Sequence, residues 1–215
     1  MLLLLSACLT TFAQQRDTIK KDNLTLIFVN TDVNFNSITK QRLIDAFFIV
    51  YPEEIAFYNK NAARQVTFVV DTAYKGVAAT GNGVVRFNPA WFVKNPEDID
   101  VVTHEVMHIV QNYGRRGGPG WLTEGIADYA RNQFGINNTK SGWKLTEYKE
   151  GQNYTNSYRI TARFLLWTEK HKSPGIVLKL DAAMRNGEYT PDIWKQLTGK
   201  NVDDLWNEYS ENPVI

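Results

Sequence analysis

The sequence contains little that would support disulfide chemistry or the binding of nucleic acid. Cys8 is the single cysteine among the 215 residues, so no disulfide can form within the chain. Lysine and arginine together number 24, against 23 aspartate and glutamate residues, and this balance gives no basic surface to attract nucleic acid. Repeats and low-complexity segments are also absent. With 43% hydrophobic and 13% aromatic residues, the chain can bury a core as one domain.

Long hydrophobic runs are missing as well, and the apolar run Leu2–Leu5 is too short to cross a bilayer. Residues 1–13 instead predict a signal peptide, because they are uncharged and end in Thr11–Ala13 (TFA), which resembles a small-residue cleavage site. Residues Leu5–Cys8 (LSAC) also resemble a bacterial lipobox, in which Cys8 would carry a lipid anchor. We therefore expect export to the periplasm or the extracellular space, with a membrane-attached lipoprotein as the alternative.

The order of the elements predicts the α+β fold class. Residues 23–30 and 64–71 are rich in β-branched and aromatic side chains, which is typical of strands. Between them, apolar residues at helical spacing predict a helix that begins after Ser37 and is interrupted or restarted at Pro52.

A hairpin and a set of helices complete the predicted fold. Gly81–Gly83 (GNG) is a turn sequence between two strand-like runs at residues 76–80 and 84–87. Glycine and proline signals separate four C-terminal helices, at residues 154–170, 174–186, 191–198 and 202–209. We expect one domain over residues 22–211, with a small mixed sheet first, a mostly helical C-terminal lobe after it, and a cleft between the two lobes.

The segment His104–His108 (HEVMH) is the most informative about chemistry. Two histidines four positions apart lie on the same face of an α-helix, so both rings can reach one metal ion. Glu105 lies about 100° round the helix, beside the position that a catalytic zinc leaves open for water. The pattern H-E-x-x-H is typical of zinc metallopeptidases. We predict a helix over residues 96–113, because Asn95 can cap it and Pro96 suits its first position.

A catalytic zinc ion needs a third protein ligand, and the segment Trp121–Tyr129 (WLTEGIADY) offers two carboxylates. Glu124 and Asp128 are four positions apart on a second predicted helix and therefore share a face. One of them can bind the metal while the other accepts a hydrogen bond from a metal-binding imidazole, and Asp128 suits the second role. Gly125 would let this helix approach the His104 helix closely.

Four stretches of the chain resemble the basic secretory proteins, also described as peptidases of plants and bacteria. They are Val102–Gln111 (VTHEVMHIVQ), Trp121–Ala130 (WLTEGIADYA), Tyr158–Leu165 (YRITARFL) and the tail Lys179–Tyr209. The resemblance implies a gluzincin-like zinc peptidase with a zincin-like fold, in which His104, His108 and Glu124 hold Zn²⁺ and Asp128 orients an imidazole. The balanced charge of the chain departs from the family's name.

The resemblance also indicates catalytic and substrate-binding residues. Glu105 would accept the proton of a zinc-activated water, and a tyrosine would donate a hydrogen bond to the oxyanion. Tyr158 is the candidate donor and Tyr154 the alternative, while packing in the core is the competing interpretation for Tyr158. Gluzincin-like enzymes bind peptide along an edge strand above the zinc helix, and by that resemblance the substrate-binding residues are Val84, Val85, Arg86 and Phe87.

We therefore expect a secreted zinc metallopeptidase that acts as a monomer on a peptide or protein. Two alternatives keep the same metal-binding residues. One is a non-catalytic zinc-containing protein for binding or adhesion, for instance to glycans, and it would not require Glu105. The other is a hydrolase that acts on a non-peptide amide.

Overall fold

A five-stranded mixed sheet forms the first part of the fold. The computed structural model describes residues 15–115 and 117–215. The strands are β1 (Gln15–Lys21), β2 (Leu24–Asn30), β3 (Gln65–Val70), β4 (Ala78–Gly81) and β5 (Val84–Phe87). Their order in the sheet is β1-β2-β3-β5-β4. The three inner strands are parallel, and each outer strand is antiparallel to its neighbour.

Helices make up most of the rest of the described chain. They are α1 (Ser37–Phe57), α2 (Pro89–Lys94), α3 (Val101–Gln111), α4 (Gly120–Phe134), α5 (Asn138–Ser141), α6 (Tyr158–His171), α7 (Ile176–Asn186), α8 (Ile193–Thr198) and α9 (Val202–Glu211). α3 contacts α1, α4 and strand β4, and α4 packs on α6. The predicted α+β class, with a mixed sheet followed by a mostly helical part, is confirmed. Within the described ranges, no helix is long and apolar enough to span a membrane.

β1 lies before residue 22, where we expected the domain to begin. All seven of its residues pair with β2. Most of its side chains are exposed, including the charged Arg16, Lys20 and Lys21. Backbone hydrogen bonds, more than side-chain burial, therefore attach this strand to the sheet, and a charged edge strand has no hydrophobic pattern that would reveal it. The folded domain extends at least to Gln15.

Helix α1 builds the core beneath the sheet and continues through Pro52. The Asn36 side chain caps its first turn by accepting a backbone N–H at 2.9 Å. Phe47 is fully buried, and its ring contacts the edge of Phe68 in β3 at 5.5 Å between centroids. We expected Pro52 to interrupt or restart the helix, since proline removes one helical N–H. Buried residues on both sides of it, including Tyr51, hold the helix in one piece.

The helix that carries the two histidines is shorter than expected. α3 begins at Val101 and residues 95–100 form turns, so the predicted start at Pro96 is wrong. An Asn-Pro pair does begin a helix, but it is the earlier pair, Asn88-Pro89, and the helix is α2. The Asn88 side chain accepts a backbone N–H at 3.0 Å, and Pro89 is the first residue of α2. Local capping preferences alone do not decide which of two nearby Asn-Pro pairs begins a helix.

The predicted hairpin is confirmed, and it places β4 at the edge of the sheet. Asn82 and Gly83 have φ values of 51° and 74°, the left-handed conformations that a two-residue type I′ turn requires. β5 pairs with β3 on one side and with β4 on the other. The expectation that Val84–Phe87 offers a free edge to substrate is therefore wrong. Val85 and Phe87 are fully buried in the core, whereas the small residues of β4 contribute little to it.

The C-terminal helices surround a second, aromatic part of the core. Neighbouring rings lie 4.8 to 6.2 Å apart between centroids in a cluster of Trp121, Tyr154, Phe164, Trp194, Trp206 and Tyr209. The helix predicted over residues 154–170 is divided at Ser157, which has a φ of 66°. A short 3-10 helix at Tyr154–Asn156 precedes this break, and α6 follows it.

Gly125 permits a close helix contact, although not the one that we expected. A Cβ atom at this position would lie 2.2 Å from the Thr161 Cγ2 atom of α6, a distance at which the two atoms would overlap. Gly125 therefore allows α4 to approach α6.

Glu54 on α1 is a fully buried carboxyl group beneath α3. Neither of its oxygens has a hydrogen-bond partner among the described residues. Burial raises the pKa of Glu54 well above its ordinary value of 4.5, although the charge of nearby His104 acts in the opposite direction. The folded chain therefore keeps this proton to a higher pH than the unfolded chain does.

We predict that Glu54 makes the fold less stable as the pH rises. Below pH 4.5 the carboxyl is protonated in both states. Above that pH the unfolded chain releases the proton and the folded chain keeps it, so unfolding is favoured by about 1.4 kcal/mol more per pH unit until the folded-state pKa is reached. The variant Glu54→Gln is neutral at every pH, and its stability relative to the wild type, measured by urea unfolding, should increase as the pH rises above 4.5.

The matched control for this prediction is Glu53→Gln, which changes an exposed carboxylate on the same helix. It should show no pH-dependent gain over the wild type. Equal pH profiles for the two variants would contradict the assignment of the effect to burial of Glu54.

Candidate metal centre

Helix α3 places two imidazoles side by side. His104 and His108 are one helical turn apart, and their Nε2 atoms lie 3.3 Å from each other. Each Nδ1 atom contacts a side-chain oxygen of another residue, Asp128 for His104 and Gln111 for His108. With each Nδ1–H donating to that oxygen, both Nε2 atoms carry a free lone pair and face the same point.

Helix α4 brings a carboxylate to this point. The Glu124 Oε2 atom lies 3.2 Å from the His104 Nε2 atom and 3.5 Å from the His108 Nε2 atom. Ligand atoms of a tetrahedral zinc ion, with bonds of about 2.0 to 2.2 Å, lie about 3.3 to 3.6 Å from one another. The three atoms therefore match one face of a tetrahedron and leave the fourth position open. Among the described residues, His104, His108 and Glu124 form the group that could hold a metal ion.

Asp128 and Gln111 hold the two imidazoles in place. The Asp128 Oδ1 atom is 2.7 Å from the His104 Nδ1 atom, and both side chains are largely buried. The Gln111 Oε1 atom is 2.8 Å from the His108 Nδ1 atom, and the Gln111 amide donates to the Thr123 carbonyl at 2.9 Å. The contact of Asp128 agrees with the orienting role that the sequence suggested for it. The role of Gln111 was missed, although its position three residues after His108 on the same helix was a signal.

The charges at the site favour a cation. Burial acts to lower the pKa of His104, but hydrogen bonds to Asp128 and Glu124 outweigh it and raise this pKa to about 10. Burial acts to raise the pKa of Glu124, but hydrogen bonds from His104 and His108 bring it down to about 2. Asp128 and Glu124 thus stabilise a positive charge between them. This charge is a proton on the His104 imidazole or a metal ion that replaces the proton.

Glu105 lies next to this group and is held by a residue of the sheet. Its side chain is 5% exposed. The Thr80 hydroxyl, on the edge strand β4, lies 2.6 Å from the Glu105 Oε2 atom and 3.0 Å from the Glu105 carbonyl oxygen. The sequence contains no local signal for this contact, because the two residues are brought together by the packing of α3 on β4.

Tyr158 reaches the site and Tyr154 does not. Tyr158 is the first residue of α6 and is 53% exposed, and its ring stacks on His104 at 6.0 Å between centroids. The charge of Glu124 is the largest cause that raises the pKa of Tyr158. The Tyr154 hydroxyl donates to Asp203 at 2.7 Å, and its ring lies in the aromatic cluster of the C-terminal lobe.

A cleft of about 1270 Å³ opens onto these residues. One wall includes Gly76–Thr80 with the edge strand, and the floor is formed by α3 and α4. The lining also includes Trp143, whose ring centroid lies 4.5 Å from the guanidinium carbon of Arg131, and Arg131 in turn forms an ion pair with Asp98. Residues 84–87 are not among the described residues that line this cleft.

A sequence profile of the family described as "Peptidase of plants and bacteria" matches residues 27–209. Because this match covers most of the chain, the chain belongs to that family of peptidases. The resemblance that the four sequence stretches indicated is thereby confirmed. No curated protein matches the chain.

Solved structures with a similar fold are zinc metallopeptidases and aminopeptidases. Aminopeptidase A from Legionella pneumophila, in complex with aspartic acid, has a TM-score of 0.58 at 16% identity, over 89% of this chain and 27% of that chain. An aminopeptidase N family protein from Idiomarina loihiensis has a TM-score of 0.53 at 12% identity, over 92% and 46%. A variant of the M1 zinc metallopeptidase from Deinococcus radiodurans has a TM-score of 0.51 at 10% identity, over 94% and 53%.

These likenesses concern the fold. The chain spans about half the length, or less, of the structures that it matches. Their shared architecture agrees with the predicted zincin-like arrangement, in which a metal-binding helix lies between a sheet and a helical lobe.

We predict that the chain binds about one zinc ion and that the effect of each substitution follows the distances in the site. Glu124→Ala and His108→Ala each remove an atom from the triangle of ligands and should abolish zinc binding. Asp128→Ala removes only a hydrogen-bond partner of His104 and should weaken zinc affinity by about 10- to 100-fold. Elemental analysis and competition with a chelator measure these effects.

The control for the zinc prediction is Glu211→Ala, at an exposed position at the end of α9, which should bind zinc as the wild type does. If Glu124→Ala kept its zinc while Asp128→Ala lost it, Asp128 would be the third ligand and the assignment of Glu124 would fail.

Proposed function

We propose that the chain is a zinc-dependent peptidase that hydrolyses peptide bonds with Glu105 as the general base. The observation that carries this proposal is the triangle of His104, His108 and Glu124, with Glu105 lining the same cleft. Membership of a peptidase family and the fold of zinc metallopeptidases support a zinc peptidase in general.

His104, His108 and Glu124 would hold the zinc, and their donor atoms, two imidazole nitrogens and one carboxylate, are those that catalytic zinc sites use. When bound, zinc supplies a Lewis acid that lowers the pKa of water from 15.7 to about 7. The contribution of this chain is to fix the three donors. Asp128 and Gln111 fix the two imidazoles by accepting hydrogen bonds from their Nδ1–H groups.

Glu105 moves the proton in this proposal. One of its carboxylate oxygens is engaged by Thr80, and the other is left to accept the proton of the attacking water. The same carboxyl group then donates this proton to the departing amine, so Glu105 is regenerated as the carboxylate in each turnover. Its nearly complete burial keeps bulk water from competing for the proton.

Tyr158 is the proposed donor to the oxyanion that develops at the scissile carbonyl. Its ring is stacked on His104, and about half of its surface is exposed toward the cleft. A phenolic hydroxyl is protonated at neutral pH and can therefore donate a hydrogen bond there. Preformed donors of this kind stabilise the charge that appears only in the transition state.

A peptide or protein is the proposed substrate, bound in extended form along β4. One side of β4 pairs with β5, and Ala78, Ala79 and Thr80 line the cleft on the other. An open sheet edge can accept a further strand through backbone hydrogen bonds. The alanines of β4 have small side chains that leave room for such a strand.

Export of the protein remains part of the proposal, on the strength of the leader sequence. Residues 1–13, the predicted signal peptide with the lipobox-like Cys8, lie outside the described residues. Attachment through a lipid at Cys8 is the alternative, and mass spectrometry of the mature N-terminus after expression in a bacterial host distinguishes the two.

We predict that Glu105→Gln keeps the fold and the zinc but loses peptide hydrolysis by about 10²- to 10⁴-fold, because the amide cannot accept a proton. The measurement is cleavage of a complex peptide library by the zinc-loaded protein, with the products read by mass spectrometry. Glu147→Gln, an exposed change of the same kind, should leave the rate unchanged.

Two outcomes of this experiment would redirect the assignment of function. Unchanged turnover in zinc-loaded Glu105→Gln would reject the proposed mechanism, and no hydrolysis of any substrate by the wild type would favour the non-catalytic zinc protein. Cleavage of non-peptide amides in place of peptides would indicate the other hydrolase.

We predict that Tyr158→Phe lowers kcat by about 10²- to 10³-fold with little change in KM, because the ring and its stacking remain while the donor to the oxyanion is lost. Tyr154→Phe is the matched comparison, since its hydroxyl binds Asp203 away from the metal site. That variant should lower the melting temperature and keep kcat. The reverse pattern would show that Tyr154 is the donor.

A further inference from the structure

The strand β4 contains one side chain that can donate a hydrogen bond. Its four residues are Ala78, Ala79, Thr80 and Gly81, so the hydroxyl of Thr80 is its single polar side-chain group. Successive side chains of a strand point to opposite faces. The contact of Thr80 with Glu105 shows that Thr80 faces α3, so Ala79 faces the other side. This arrangement places the hydroxyl at the position that contacts Glu105.

We propose that Thr80 is a positioning residue, which holds the Glu105 carboxylate in the orientation that proton transfer requires. The proposal rests on the proposed function, in which Glu105 is the general base. A hydroxyl 2.6 Å from a carboxylate oxygen donates a strong, charge-assisted hydrogen bond. The Glu105 carbonyl oxygen, 3.0 Å from the same hydroxyl, is a second and longer acceptor for its single proton, so the shorter contact to the carboxylate is the main hydrogen bond.

The contact links two elements that must keep a constant distance in the reaction. Glu105 moves the proton, and β4 is the strand along which the peptide lies. Because Thr80 belongs to β4, the base is attached to the strand that aligns the scissile bond. A glutamate side chain has several rotamers of similar energy, and a displacement of about 1 Å in a reacting group can cost about 10²-fold in rate. The hydrogen bond from Thr80, which belongs to a paired strand, restricts the Glu105 side chain to one of these rotamers.

The engagement of only one oxygen is important for the role. Thr80 contacts Oε2 of Glu105, and no hydrogen bond to Oε1 from another described residue competes with water there. The carboxylate is thus fixed at one oxygen and keeps the other for the proton. A contact that served only to join β4 to α3 could direct the hydroxyl proton to the backbone carbonyl, whereas the shorter distance here is to the carboxylate.

The test compares Thr80→Val, which removes the hydroxyl at nearly constant shape, with Thr80→Ser, which keeps it. For the zinc-loaded proteins we expect Thr80→Val to lower kcat by about 10- to 100-fold with KM within about 2-fold of the wild type. Thr80→Ser should restore kcat to within about 3-fold. Thr72→Val, an exposed threonine of the preceding loop, is the control and should change neither constant.

A merely structural role gives a different result. In that case Thr80→Val lowers the melting temperature while kcat, measured well below that temperature, stays at the wild-type value, and this outcome would overturn the proposal. The substitution is also made in Glu105→Gln, where it should cause no further loss, because there is no longer a base to position. An additive loss in the double variant would count against positioning through Glu105. If Thr80→Val does not fold, Thr80→Ala replaces it in every comparison.

Failure of the proposal and failure of the proposed function are distinguishable. Loss of activity in Glu105→Gln together with full activity in Thr80→Val rejects the role of Thr80 alone. If the wild type hydrolyses no substrate, the proposed function fails. Crystal structures of the wild type and Thr80→Val then test whether Thr80 positions the Glu105 carboxylate. A displaced or disordered Glu105 carboxylate in the variant supports the positioning role, and an unchanged carboxylate overturns it.

Discussion

The hydrogen bond between His104 and Asp128, 2.7 Å long, joins α3 to α4, and the geometry of the site depends on this junction. Two of the three candidate ligands belong to α3 and the third belongs to α4, so their triangle exists only while the two helices keep their distance. A second junction, from Gln111 to the Thr123 carbonyl, connects the same helices. Glu124 lies between these two attachment points on α4. Its carboxylate is therefore held near both imidazoles by contacts that do not involve a metal.

The helical C-terminal lobe supports this arrangement through the contact of α6 with α4. Gly125 follows Glu124 in the chain and faces α6, where its missing side chain makes room for Thr161. Two adjacent residues of α4 thus contact different parts of the molecule. Glu124 faces the metal site, and Gly125 faces the helical lobe. The same helix α6 begins with Tyr158, whose left-handed φ of 53° turns the chain sharply beside His104. The position of α6 consequently affects both the third ligand and the proposed oxyanion donor.

Sequence patterns predicted the parts of the site that local geometry determines. The spacing of His104 and His108 follows from helical periodicity, and the turn at Asn82 and Gly83 follows from left-handed backbone preferences. The parts that the sequence did not predict depend on contacts between distant segments. Thr80 contacts Glu105 only because β4, not β5, is the outer strand. Both strands were recognisable as short strand-like runs, but their side-chain pattern does not determine which of them pairs with β3.

The charged outer strand β1 has a practical consequence for preparing this protein. A recombinant chain that began at residue 22 would lack β1 and would leave one whole side of β2 without hydrogen-bond partners. β2 is buried along most of its length and rich in large apolar residues. An uncovered edge of that composition invites pairing with strands of other molecules, so the shortened chain would be prone to aggregate. Affinity tags and cleavage sites therefore belong ahead of Gln15, the first described residue of β1.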